Sequence, residues 1–157
     1  MREKPHSPVV LLVLPQDERR NTLLRHLESL NLTTAAVGTF REVRERLKDD
    51  PRVDIVITEV SLRDGNWCDV LGCVVSRGVE ARVVVSSPVA DERLWSEVLW
   101  RGVYDVLVEP YDPLEVRRIL DGALRSAANS GLTPTREVSG SRQSHLVIDP
   151  VGVTTGN

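Results

Sequence analysis

The sequence predicts a doubly wound α/β fold, a parallel sheet covered by helices on both faces, and three observations carry that reading. Five short apolar runs alternate with five stretches in which apolar residues recur at helical spacing. The runs are too apolar to leave one face in water, as strands of a one-sided antiparallel sheet do. At 157 residues the chain also suits one domain of ordinary size with a short tail to spare.

The elements follow in order. VVLLVL at 9–14 is the first strand, and Leu23, Leu24, Leu27 and Leu30 mark the first helix. LTTAAVG at 32–38 is the second strand, closed by Gly38; Thr39 then caps a charged helix whose apolar stripe is Phe40, Val43 and Leu47. Asp54 to Val60 is the third strand. The third helix follows Gly65, carries Val70, Leu71, Val74 and Val75, and ends near Gly78. ARVVVSS at 81–87 is the fourth strand, and the helix after Pro88 carries Leu94, Trp95, Val98 and Leu99 before stopping at Gly102. YDVLV at 104–108 is the fifth strand. A last helix follows Asp112, with Pro113 in its first turn and Val116, Ile119, Leu120, Ala123 and Leu124 on its inner face.

Composition excludes several classes. With 41% hydrophobic and 27% charged residues and a net charge of -3, the chain has the balance of a soluble globular domain and no basic footprint for nucleic acid. No apolar run approaches the roughly 20 residues that cross a bilayer, and MREKPHSP lacks the apolar segment of a signal peptide. A cytoplasmic location without membrane attachment is expected. Cys68 and Cys73, five apart and without clustered histidines, support neither a zinc site nor a disulfide framework. From Asn129 onward Gly, Ser, Thr and Pro recur without aromatic residues, which reads as a flexible tail or linker.

In doubly wound sheets, ligands and chemistry collect at the carboxyl ends of the strands. That places Pro15, Gln16 and Asp17, then Glu59, then Ser86 and Ser87, then Glu109 in one neighbourhood. Glu59 ends the apolar run Ile55 to Ile57 and enters a polar turn, so it is either an active-site acid or a strand-end carboxylate that has reached water.

Three stretches carry a resemblance to a known family. LLVLPQDERRNTLLRHL, VDIVITEVSLRDGNWCDVL and GVYDVLVEPYDPLEV stand in the order and spacing of the first strand and helix, the phosphoacceptor strand and loop, and the last strand with its Lys-Pro turn in receiver domains of bacterial response regulators. The likeness runs from about Pro8 to Arg125 and implies a flavodoxin-like (βα)5 sandwich with strand order 2-1-3-4-5. It sets the domain at 8–127, between a flexible N-terminus at 1–7 and a disordered tail or linker at 128–157.

The family's chemistry moves a phosphoryl group from a histidine kinase to an aspartate beside Mg²⁺. Pro15 and Gln16 stand at the positions of the metal-binding acidic pair, with Asp17 one place later, so two anionic ligands for a hard cation are missing and no cofactor is expected. Glu59 stands at the phosphoacceptor and is one methylene longer, which displaces its oxygen by about 1.5 Å. Glu109 replaces the lysine, turning a cation into an anion. Ser87, or Ser86 with a slip of one, keeps the hydroxyl position; Val106 takes the aromatic position, with Tyr104 two residues earlier on the same expected strand face. A cis Glu109-Pro110 bond is expected. Glu109 either solvates the sheet edge, pairs with a nearby Arg such as Arg19 or Arg63, or joins Glu59, Asp17 and Asp64 around a cation.

The resulting expectation is an atypical, non-enzymatic receiver in two-component signalling. It would meet a histidine kinase or a downstream signalling protein, or form a homodimer, through the face of the fourth helix, fifth strand and fifth helix, where Trp100, Tyr104, Val106 and Tyr111 are the candidates. One alternative is an active receiver phosphorylated at an unusual acid or with altered metal use. Another is a small-molecule-binding flavodoxin-like domain with Trp67 as an aromatic lid; the plainer reading makes Trp67 a loop residue half-buried against the third helix.

Overall fold

The structure, a computed structural model, describes residues 7–89 and 91–129. The chain divides into two units, residues 1–127 and 128–157, and the first holds the sheet. The expected flexible N-terminus and tail fall almost wholly outside the described residues.

Five parallel strands, β1 (Val9–Val13), β2 (Thr33–Val37), β3 (Ile55–Glu59), β6 (Arg82–Ser87) and β7 (Asp105–Val108), form one sheet in the order β2-β1-β3-β6-β7. This is the doubly wound, flavodoxin-like order 2-1-3-4-5 once the short pieces β4 (Ser61–Leu62) and β5 (Gly65–Asn66) are set aside. Those two pair antiparallel in the loop after β3. At two residues each they are too short for alternation to reveal in a sequence.

The helices α1 (Glu18–Glu28), α2 (Phe40–Asp49), α3 (Trp67–Ser76), α4 (Glu92–Trp100) and α5 (Pro113–Asn129) cover both faces. Alternation along each strand sorts the side chains between them. Val10, Leu12, Ile55, Ile57, Val84 and Leu107 meet α1 and α5 through Leu23, Leu27, Val116, Ile119 and Leu120. On the other face Leu11, Val13, Val56, Val83 and Val85 pack with Val43 and Leu47 of α2, Val70 and Val74 of α3, and Val98 of α4. Each such side chain, fully buried, stabilises the fold by about 1.5–3 kcal/mol. The helix starts are fixed locally: Asp17, Thr39, Asn66 and Asp91 accept backbone N–H bonds as caps, and Asn66 forms a capping box with Asp69. Gly78 and Gly102 take the positive φ values, 68° and 105°, that follow the ends of α3 and α4. Among the described residues no helix is long and apolar enough to cross a membrane.

Several side chains differ from expectation. Trp67 is neither a lid nor a half-buried loop residue: as the first residue of α3 it is 5% exposed, inside the core with Val70 and Val74. Val106 is buried in the same core and cannot contribute to an interaction face. Tyr104 precedes β7 and does not share the face of Val106; it packs with the α1 and α5 cluster, its phenol over Gly122. A residue just outside the ladder is not bound by the strand's alternation. Val75 is exposed, and so are Trp95 and Trp100, because Val98 alone is buried along α4. Leu30 lies past the end of α1.

Trp67→Ala is therefore expected to cost about 3–5 kcal/mol in urea denaturation, whereas Trp100→Ala, at a side chain 87% exposed, changes stability by less than about 0.5 kcal/mol. Equal losses in the two variants would contradict this placement.

Candidate functional site

The carboxyl ends of four strands meet over the α1 and α5 side of the sheet. Glu59 follows Ile55 and Ile57 in alternation, Ser86 follows Val84, and Glu109 follows Leu107, so all three belong to the face that α1 and α5 cover. Register places Glu59 opposite Ser86. Ser87, one residue on, belongs to the other face; its Oγ donates to the Val89 carbonyl at 2.9 Å and accepts from the Val89 N–H at 3.2 Å. Of the two candidate hydroxyls, Ser86 is the one at the site.

Arg19, in the first turn of α1, is the centre. Asp17 caps α1 through bonds from the Arg19 and Arg20 N–H groups, and this cap folds the Arg19 side chain back over the sheet edge. Its Nε and Nη2 donate to Asp17 Oδ2 at 3.1 and 2.8 Å. Its Nη1 donates to Glu59 Oε2 at 2.7 Å and to Glu109 Oε2 at 3.2 Å. One planar guanidinium thus joins three carboxylates from three strand ends, the kind of forked contact that lysine cannot reproduce. The side chains of Glu59 and Glu109 are only 14% and 15% exposed, against 39% for Asp17.

The electrostatics follow from this contact. The Arg19 hydrogen bond, ahead of other causes, holds Asp17 below the usual carboxylate range. Bonds from Asp17 and then Glu59 push the guanidinium higher still, so it is charged at any accessible pH. Three carboxylates against one guanidinium leave the cluster short of positive charge. Glu59 Oε1 is buried without a hydrogen-bond partner.

Tyr111 extends the network. Glu109-Pro110 is cis, as expected from the sequence, and the next residue, Tyr111, is 8% exposed rather than part of a surface. Its Oη lies 2.7 Å from Ser86 Oγ and donates a longer bond of 3.4 Å to Glu109 Oε2. With its one proton on Glu109, the phenol accepts from the Ser86 hydroxyl.

Of the other expected residues, Glu109 pairs with Arg19, as one of the readings had it. Asp64 stays outside the cluster: its oxygens accept from the Phe40 and Arg41 N–H groups at 2.7 and 2.9 Å, and the Phe40 bond foremost lowers its pKa. Pro15 supplies no side-chain oxygen, and Gln16 is exposed beside the cluster. The role of Tyr111 was not visible in the sequence. The central place of Arg19 had one faint signal, an acid-x-Arg step directly after the first strand.

Among solved structures, the chain is similar to the signal receiver domain of an HD domain-containing protein from Pseudomonas fluorescens Pf-5. The TM-score is 0.70 at 22% identity, over 79% of this chain and 99% of that one. A response regulator receiver domain protein from Clostridium thermocellum matches with a TM-score of 0.70 at 13% identity, over 77% of this chain and 97% of that one. So does the CheX-CheY-BeF3-Mg²⁺ complex from Borrelia burgdorferi, with 0.67 at 20%, over 73% and 87%. The fold is that of a receiver domain. Neither a protein-family model nor a curated protein matches the sequence.

The receiver fold implies Mg²⁺ at these strand ends, and the residues here do not fit it. Asp17 Oδ2, Glu59 Oε2 and Glu109 Oε2 are already engaged by Arg19, while Pro15 and Gln16 offer no anionic oxygen. Among the described residues no group of three His, Cys, Asp or Glu side chains has the arrangement to hold a metal ion.

Burial, the largest cause, pushes the Tyr111 phenol up to about 12, with the Ser86 hydrogen bond acting the other way. An unfolded phenol ionises near 10, so between those values the native state holds the extra proton and stability falls as pH rises. The loss attributable to Tyr111 is on the order of 2–3 kcal/mol across that window. Denaturant titrations at stepped pH should show it in the native protein and not in Tyr111→Phe; identical slopes in both would remove the buried-phenol account.

Proposed function

We propose that this chain is an atypical receiver of two-component signalling, which acts by protein contact in a fixed state and is not phosphorylated in the usual way. The observation that carries the proposal is the Arg19 guanidinium shared by Asp17, Glu59 and Glu109. An acceptor carboxylate needs a free oxygen in line with the phosphoryl donor. Here Oε2 of Glu59 is held by Arg19 at 2.7 Å and Oε1 is sealed from solvent. Glu109 would also set a negative charge against an incoming phosphoryl group. The module is accordingly not an enzyme, and Glu59 is a partner of Arg19 in a closed network.

Incubation with a small acyl-phosphate donor and Mg²⁺ or Mn²⁺ is expected to leave the intact mass unchanged. Gain of one phosphoryl group on Glu59 or Asp17 would sink the proposal and support the alternative of an active receiver.

The contact surface is the one formed by α4, β7 and α5. Trp100 of α4 and Leu114 of α5 are 87% and 76% exposed, and large apolar side chains in solvent mark interaction sites when they cluster. The partner on this reading is a histidine kinase or a downstream signalling protein, or a second copy of the chain. The Borrelia neighbour is itself a complex, CheX with CheY. Replacing Trp100 and Leu114 by alanine is expected to abolish partner binding or dimerisation in light scattering without loss of fold. Unchanged mass and unchanged binding would move the functional surface elsewhere.

A further inference from the structure

We infer that Tyr111 is the joint that fixes the start of α5 to the end of β6, so that the strand-end cluster and the exposed start of α5 form one rigid piece. The inference rests on the fixed-state reading above and names a part of the chain that does the fixing.

Asp112 caps α5: its side chain accepts the Leu114 N–H at 3.0 Å and its carbonyl accepts the Val116 N–H at 2.9 Å. Tyr111 therefore stands one place before the cap and Val116 at the fourth helical position. An apolar contact between those two positions sets the angle at which a chain enters a helix. Tyr111 and Val116 are buried in the same cluster. A phenylalanine would do that much.

The hydroxyl adds what a phenylalanine lacks. A buried hydroxyl costs free energy unless it is paired, and here two meet: Tyr111 Oη lies 2.7 Å from Ser86 Oγ, and Ser86 is fully buried near the end of β6. The longer bond from Tyr111 to Glu109 joins residues two apart in one turn, so the tie between elements is the Ser86 bond. Ser86 is in turn the residue opposite Glu59 in the sheet. One side chain thus reaches the strand end with its hydroxyl and steers the helix start with its ring. Leu114, 76% exposed, lies in the first turn that this joint positions. A partner that reads Leu114 meets a surface whose place is set from β6.

The test is hydrogen exchange by mass spectrometry on the full chain, without phosphoryl donor. It compares the unsubstituted protein with Tyr111→Phe, Ser86→Ala, the double variant, and Tyr104→Phe as a control at the chain's other tyrosine. Tyr111→Phe and Ser86→Ala are each expected to speed exchange at residues 114–118 by about five- to tenfold, the size of one buried hydrogen bond, and to leave α2 and α3 unchanged. The double variant is expected to match either single one, because both remove the same contact. Tyr104→Phe is expected to leave residues 114–118 unchanged. Exchange that rises alike everywhere overturns the inference, since the pair would then be an ordinary stability contact; exchange that rises nowhere overturns it as well. So do additive effects in the double variant, and so does a Tyr111→Phe chain that fails to fold, because a joint at one helix start cannot carry the whole sheet. Phosphoryl incorporation refutes the fixed-state reading in a separate measurement, whereas these exchange rates refute only the role of Tyr111.

Discussion

Carboxylates brought together at the ends of buried strands repel one another, and everything at this sheet edge depends on the cation that joins them. Arg19 is that cation. Because a guanidinium is planar, always charged and forked, it can hold three partners where a metal ion would hold them by valence alone. It also comes from α1, so the N-cap that starts the helix and the charge that settles the strand ends are one local structure: Asp17 caps the helix with one oxygen and grips Arg19 with the other. A single residue thereby ties α1, β3 and the turn after β7.

Around this tie the two faces of the sheet have different tasks. The face under α2, α3 and α4 is a plain apolar core, sealed at its edge by Trp67 and by Ser87 closing on Val89. The face under α1 and α5 carries the polar ends, and there burial is tolerated because each group has a partner. Ser86 meets Tyr111, Tyr111 meets Glu109, and Glu109 meets Arg19. Buried polar groups cost several kcal/mol when left unpaired and stiffen a structure when paired. Glu59 Oε1 is the place where pairing is incomplete.

The residues that ran against expectation share a cause. Trp67 lies in a segment that reads as a polar turn, yet the capping box of Asn66 and Asp69 begins α3 at Trp67, three residues before the apolar stripe at Val70, and the indole lies in the core. Tyr104 sits one residue before β7 begins, where period-two alternation does not yet apply. Tyr111 follows a proline in a turn, a position without periodicity of any kind. Trp95 and Trp100 belong to a helix whose only buried residue is Val98, so hydrophobic content overstated its burial.

The sequence by itself determined the order and type of the five strands and five helices, three of the helix caps or stops, and the strand ends at which Asp17, Glu59, one of Ser86 and Ser87, and Glu109 gather. Those follow from local periodicity and from the rule that parallel strands present their carboxyl ends together. Only the tertiary structure decided that Ser86 rather than Ser87 faces the site, that Tyr111 is buried against it, and that Arg19 rather than a metal ion joins the acids. The physical reason is that pairing of charges depends on side-chain directions across elements 40 and 90 residues apart in the chain, which no local pattern encodes.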